Sequence, residues 1–408
     1  MSVAAVRSTA MRQTRRNALV LATAQAIVGG GTPAAFAVAS LAGSWLLADD
    51  KTLATLPVTG FNVGVAVMAL PAAALMRAIG RKNGFMGGAL VTAAGGLLGA
   101  MALFQQQFWL LVLAMAVVGA GGSFVQQYRF AAIDGAPAAF RPQAISWVLA
   151  GGVFASVIGP QIVRLTQNAF LPIQFAGAYL GIAVLGLIGA AILSTLHIAE
   201  APAAPVSHDT APPRSLFRIV SQPRFLVALI CGVGSYSMMN FVMTGAPLAI
   251  IDCGYSEDIS TLGIQWHVMS MYAPSFFTGA LIARFGKVPM IALGLVMVAA
   301  SAGVALQGTE IWNFWLGLVL LGTGWNFAFI GSTAMVTDCY GIAEKARAQG
   351  FHDFILFGAV ALASFFSGQV LASSGWQTMN IIVFPVVALC LIALSIFAWT
   401  NRRGLAED

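Results

Sequence analysis

The chain has 408 residues, 59% of them apolar and 8% charged, with 20 Lys and Arg against 14 Asp and Glu, a net charge of +6 and a mean hydropathy of +0.86. Soluble domains carry about 25% charged residues, so this chain cannot cover itself in polar surface, and a water-soluble globule is excluded. Cys231, Cys253, Cys339 and Cys390 are scattered in or beside apolar stretches, without the spacing of a disulfide framework or a metal site.

Arg7, Arg12, Arg15 and Arg16 precede an apolar run, as in a signal peptide. That run outlasts an ordinary signal sequence and shows no clear cleavage site, so it reads as a first span. Crossing a bilayer takes about 20 apolar residues. Such stretches fall at 18–47, 52–78, 83–104, 108–132, 144–166 and 172–196, and again at 223–251, 260–283, 288–307, 311–337, 348–373 and 376–400. Between the two sets, 197–222 holds Pro202, Pro205, Pro212, Pro213, His208, Asp209 and Arg214, and reads as an irregular cytoplasmic linker. The expectation is an all-α integral membrane protein of twelve transmembrane helices, in two six-helix bundles at 1–196 and 223–408.

Basic residues fix the orientation, because cytoplasmic loops carry an excess of Lys and Arg. With both termini cytoplasmic, the inner side holds the four N-terminal arginines with Arg77, Arg81, Lys82, Arg129, Arg141, Arg214, Arg218, Arg224, Arg284, Lys287, Lys345, Arg347, Arg402 and Arg403. Only Lys51 and Arg164 fall outside, where Asp49, Asp50, Asp252, Glu257, Asp258 and Glu310 lie. The basic charge therefore reports topology, and nucleic acid is not an expected partner.

The halves repeat. Arg77-Ala-Ile-Gly80-Arg81-Lys82 after the second span is echoed by Ala283-Arg284-Phe-Gly286-Lys287 after the eighth, with the two glycines 206 residues apart. Gly119-x-Gly121 with Asp134 and Arg141 recurs as Gly322-x-Gly324 with Asp338 and Arg347. Six spans per half leave both halves in the same orientation, which describes parallel repeats about an axis along the membrane normal.

These motifs resemble the major facilitator superfamily, whose loop motif reads G-x-x-x-D-R-x-G-R-R, and the resemblance covers nearly the whole chain. Its aspartate slot holds Arg77 in the first half and Ala283 in the second. The cytoplasmic latch which that acid serves in the family would then fall to Asp134 and Asp338, facing Arg81 and Arg284 or Lys287. Three stretches, 149–160, 265–279 and 324–358, are similar to a bacterial branch near the rhizobial and Brucella-type riboflavin transporters. Of the glycine motif of drug–proton antiporters in span 5 only Gly159-Pro160 survives, with Ser146, Ala155, Val163 and Arg164 in the other slots. The resemblance implies a secondary or facilitative transporter of a small organic solute, such as riboflavin or a similar aromatic heterocycle. It would work by rocking two bundles about a central site. Proton-coupled efflux of amphipathic compounds is the alternative, and a membrane sensor or enzyme a remote one. No Walker loop, zinc-protease helix or nucleophile elbow is present, and no cofactor is expected. The partners would be a small-molecule substrate and the bilayer, with the chain a monomer in a bacterial inner membrane.

Polar groups at membrane depth usually face a cavity or a partner. Arg129 reads either as an anchor for an anion or carbonyl or as a structural partner of Asp134 or Asp353. Asp353 reads as a proton carrier or as an acid paired with Arg129 or Arg347. His267 could meet solute or donate to a neighbouring helix. Tyr236, Asn240 and Thr244 share one helix face that lines a cavity or bonds another helix. Gln25 and Gln126 in the first half, and Gln265, Trp266, Trp325 and Asn326 in the second, complete the candidate lining.

Overall fold

The computed structural model describes residues 3–47, 51–132, 140–197, 214–341 and 344–404. The described residues are helical, and the chain divides into two compact units, Met1–Pro205 and Val206–Asp408.

The first unit contains α1 (Val3–Ile27), α2 (Gly31–Leu46), α3 (Leu56–Ile79), α4 (Arg81–Phe104), α5 (Phe108–Val125), the single turn α6 (Tyr128–Ala131), α7 (Arg141–Thr166) and α8 (Ala176–Ser194). The first span is therefore two helices, broken over Val28–Gly30 where three glycines follow in a row. Hydropathy does not register such a break because glycine leaves the run apolar. Helix α4 packs against α5 and α8, α3 against α5, and α1 against α7. Ala18, Leu21 and Ala24 of α1, with Val28 just beyond it, enter a core with Met76, Phe85, Phe124, Tyr128 and Leu193. Asn17 and Gln13 donate to the His197 carbonyl at 2.8 and 3.0 Å, tying the middle of α1 to the residues just past α8.

The second unit contains α9 (Leu216–Val220), α10 (Pro223–Asp252), α11 (Glu257–Tyr272), α12 (Ser275–Phe285), α13 (Lys287–Ala305), α14 (Ile311–Val336) and α15 (Lys345–Gly404). Most of the stretch read as linker lies outside the described residues. Its described end is not irregular, because Ser215 caps α9 by accepting from the Arg218 N–H. Span 8 is broken at Ala273–Pro274, since proline has no N–H to continue the ladder. Spans 11 and 12 form one helical run interrupted only by Gly375 at φ 76°, ψ 176°.

Among the described residues, ten helical runs are long and apolar enough to cross a membrane. Counting α15 twice, at 54 such residues, and adding α11 with α12 gives twelve crossings. Outward faces are apolar: Leu90, Leu97, Met101 and Phe104 form one exposed stripe on α4, and Leu389, Ile392, Ile396 and Trp399 another on α15. Stripes of that length on a soluble protein would drive aggregation; against lipid they are the expected surface.

The internal repeat appears in the backbone. Gly80 joins α3 to α4 at φ 83°, ψ 153°, and Gly286 joins α12 to α13 at φ 88°, ψ 164°. Each glycine pair touches corresponding neighbours. A methyl on Gly119 would strike the Phe61 carbonyl of α3, and one on Gly121 would strike Gly88 and Thr92 of α4. A methyl on Gly322 would strike His267 and Ser270 of α11, and one on Gly324 would strike Gly294 of α13. Small residues permit this approach where lipid supplies no hydrophobic drive between helices.

Candidate functional site

Two of the three aromatic candidates, Tyr236 and Trp325, come together in the second unit. Tyr236 of α10 meets Trp325 and Phe329 of α14 edge-on, both with ring centroids at 5.1 Å, and Phe357 of α15 at 6.0 Å. Trp325 and Phe329, one turn apart, stack at 5.1 Å with 13° between their planes. Tyr236, Trp325 and Phe329 each keep part of their surface accessible. Together they present flat aromatic area where three helices converge.

Several polar candidates bond neighbouring helices, the second of the two readings that the sequence left open for His267 and for the face of Asn240 and Thr244. Asn326 is fully buried, donates to the Met271 carbonyl at 2.7 Å and Ser275 Oγ at 2.6 Å, and accepts from Thr278 Oγ1 at 2.6 Å. Its amide bridges the break between α11 and α12. His267 is also fully buried, with Nδ1 at 2.7 Å from the Leu318 carbonyl, which pins α11 to α14. Trp266, its neighbour, is 41% exposed, since adjacent helical positions point about 100° apart. Asn240 and Thr244 are buried, with Thr244 Oγ1 donating to Asn240 Oδ1 at 3.4 Å, so this face is packed beyond Tyr236. Gln265 is buried in α11.

In the first unit Gln25 is buried against Gly29 and Gly151, while Gln126 is exposed. Arg129 is exposed, with its guanidinium carbon 4.9 Å from the Phe130 ring centroid. Asp353 pairs with neither Arg129 nor Arg347 among the described contacts, but with His352, Nδ1 to Oδ1 at 2.9 Å. Ser332 and His352, both buried, border the same space beside the Gly232 Cα, and sequence reasoning did not select Ser332 or Gly232. Spacing was the one trace of them in sequence, and it counts only once the helices are paired: Gly232 and Tyr236 are one turn apart on α10, as are Phe329 and Ser332 on α14.

At the end of the unit where α10 begins, Lys287 Nζ reaches both Asp338 oxygens at 2.6 Å and the Ala334 carbonyl at 3.0 Å, with Arg224 3.7 Å away. Lys287, not Arg284, meets Asp338; Arg284 is exposed over the Phe285 ring. Asp134, the proposed counterpart facing Arg81, lies outside the described residues. Arg214 grips Glu344 through Nε at 2.9 Å, Nη2 at 2.7 Å and its backbone N–H at 2.8 Å, and donates to the Cys339 carbonyl at 2.9 Å. The Arg214 hydrogen bond, then the Gly341 N–H, hold the Glu344 carboxyl down at about 2 from an ordinary 4.5. A lowered carboxylate value means the clasp is intact above pH 4.5 and is lost as pH falls from there toward 2. Cys339, buried beneath the clasp, reports on it. In a variant retaining only this cysteine, reaction with dithiodipyridine should accelerate severalfold below pH 4.5, and at neutral pH in Glu344→Gln. Rates indifferent to both changes would show that no clasp closes this loop.

Comparison with known proteins places these features. The Major Facilitator Superfamily model matches residues 47–274 and 254–407. The chain is 49% identical, over 93% of its length and 95% of the relative's, to the riboflavin transporter RfnT of Brucella anthropi. It is 26% identical to the uncharacterized transporter YdeG of Bacillus subtilis, over 95% of this chain and 93% of that one. In fold it is similar to the crystal structure of the POT family transporter PepTSo, with a TM-score of 0.70 at 12% identity, covering 97% of this chain and 99% of that one.

Proposed function

Because this chain belongs to the major facilitator superfamily and is a multi-pass membrane transporter, we propose that its cargo is a flat, uncharged heteroaromatic solute, riboflavin or a close analogue. The observation that carries the reading is the 49% identity, across nearly the full length of both chains, to a protein named as a riboflavin transporter. The accessible faces of Tyr236, Trp325 and Phe329 support it, since stacked aromatic surface suits a planar ring system. Transport proceeds by alternating access, in a bacterial inner membrane with both termini cytoplasmic, as the distribution of lysine and arginine supports. Efflux of amphipathic drugs is not favoured, because the antiporter motif is reduced to Gly159-Pro160.

The test is equilibrium binding of riboflavin to the purified chain in nanodiscs, followed by flavin fluorescence, alongside uptake of labelled riboflavin by cells lacking their own transporter. Saturable binding and uptake are expected. Trp325→Ala should weaken binding about tenfold, the equivalent of one aromatic contact of about 1.4 kcal/mol, with thermal stability kept. A wild-type protein that neither binds nor carries the flavin would sink the reading.

A further inference from the structure

One turn from the aromatic layer, the same three helices bring polar atoms to one point. Gly232 lies four residues before Tyr236 on α10, Ser332 three after Phe329 on α14, and His352 five before Phe357 on α15. A Cβ built on Gly232 would stand 3.5 Å from Ser332 Cβ and 3.9 Å from His352 Nε2. Ser332 is fully buried and its hydroxyl has no hydrogen-bond partner; His352 is 4% exposed and its Nε2 has none either. Buried polar atoms on membrane helices are expected to be paired, so two orphans facing one glycine ask for an occupant.

The chemistry of that occupant follows from the hydrogen bonds already made. The Asp353 carboxylate offers only acceptors, so the His352 Nδ1 at 2.9 Å is the donor. In the neutral ring Nε2 then carries a lone pair, which accepts. Ser332, whose Cβ borders the same space, has a hydroxyl without a partner and free to donate. An acceptor beside a donor is complementary to a ligand edge with N–H beside C=O, the edge of a cyclic amide or imide.

We propose that Gly232, Ser332 and His352 form the polar end of the solute site and grip the imide edge of a flat heterocycle whose ring system rests on Tyr236, Trp325 and Phe329. His352 Nε2 accepts the imide N–H, Ser332 Oγ donates to the adjoining carbonyl, and the bare Cα of Gly232 leaves the room for both. Asp353 is a positioning residue that fixes the histidine tautomer. This assignment rests on the flavin reading above and names the recognition within it, since riboflavin carries such an edge at N3–H between two carbonyls.

The experiment compares binding of riboflavin and N3-methylriboflavin to the full chain in nanodiscs. Wild type should bind the methylated flavin at least tenfold more weakly. Gly232→Ala is the sharper variant, because its methyl meets only ordinary contacts with the protein yet fills the ligand's room. It should retain wild-type thermal stability and lose about tenfold in riboflavin affinity. Ser332→Ala and His352→Ala should weaken riboflavin and bring the ratio between the two flavins toward one, which a purely structural role would leave unchanged. Equal wild-type affinity for the two flavins, or Gly232→Ala binding like wild type, overturns the assignment alone. Failure of wild type to bind either flavin overturns the functional reading and this assignment with it.

Discussion

Asn326→Ala should destabilise the folded protein by about 2–3 kcal/mol while leaving the KM for the solute close to that of the parent. Its amide makes three hydrogen bonds at 2.6–2.7 Å across α11, α12 and α14. Interhelical hydrogen bonds in membrane proteins average about 0.6 kcal/mol. An acceptor abandoned in a water-free interior costs a further ~1 kcal/mol or more. Met271 is such an acceptor, because its carbonyl sits at the break before Pro274. Seen in sequence, asparagine midway along an apolar span suits a solute contact equally well, and on that reading the same variant would lose affinity and keep its stability. Thermal unfolding in detergent and transport kinetics, measured side by side, separate the two. Unchanged unfolding with a raised KM would return Asn326 to the solute site.

Gly119→Ala and Gly322→Ala should each destabilise by about 1–3 kcal/mol, the usual range for overpacking, and together abolish accumulation of folded protein. The added methyl has no flexible side chain to displace at Gly119: it meets the Phe61 carbonyl, so α5 must move away from α3. At Gly322 it meets the His267 carbonyl and Ser270 Oγ, forcing α14 off α11. Such a shift propagates, because every contact along the crossing loosens together. Gly303→Ala and Gly358→Ala are the matched controls. Both glycines are helical with nothing within 4 Å of the new methyl, so these variants should be neutral or gain up to ~1 kcal/mol of helix propensity. Thermal unfolding of all four in one detergent decides the matter. Four similar unfolding temperatures would mean that these crossings are not tight.

The large-scale plan was legible because bilayer topology is written in one dimension. Apolar runs, the bias of lysine and arginine, and glycines spaced 206 residues apart need no knowledge of tertiary contacts. The breaks at Val28–Gly30 and Ala273–Pro274 were less legible: glycine and proline were visible, but too few to bring the mean hydropathy of a long run below that of a span, so each reads as continuous. Side-chain roles were the least legible. A buried polar group satisfies the same pattern whether it meets solute or a neighbouring helix, and only geometry shows that His267 bonds Leu318 while Trp325 lies against Tyr236. Ser332 gave no signal by itself, since serine is common in membrane helices. Its meaning depends on α14 and α15 both meeting α10, which pairing of helices alone reveals.

The turns at Gly80 and Gly286 carry a consequence in handedness. At φ 83° and 88° with ψ near 160°, the backbone occupies a region essentially reserved for glycine, which other residues enter at ~1–3 kcal/mol. Reflected, those angles are ordinary extended backbone. A D-alanine introduced by semisynthesis would therefore rest in either turn without strain, where L-alanine would not. Among ribosomal residues glycine has no synonym at these two points, although the slot three residues earlier in each copy has drifted to Arg77 and Ala283. A sequence that repeats itself can vary its charges freely but must keep its achiral positions in step.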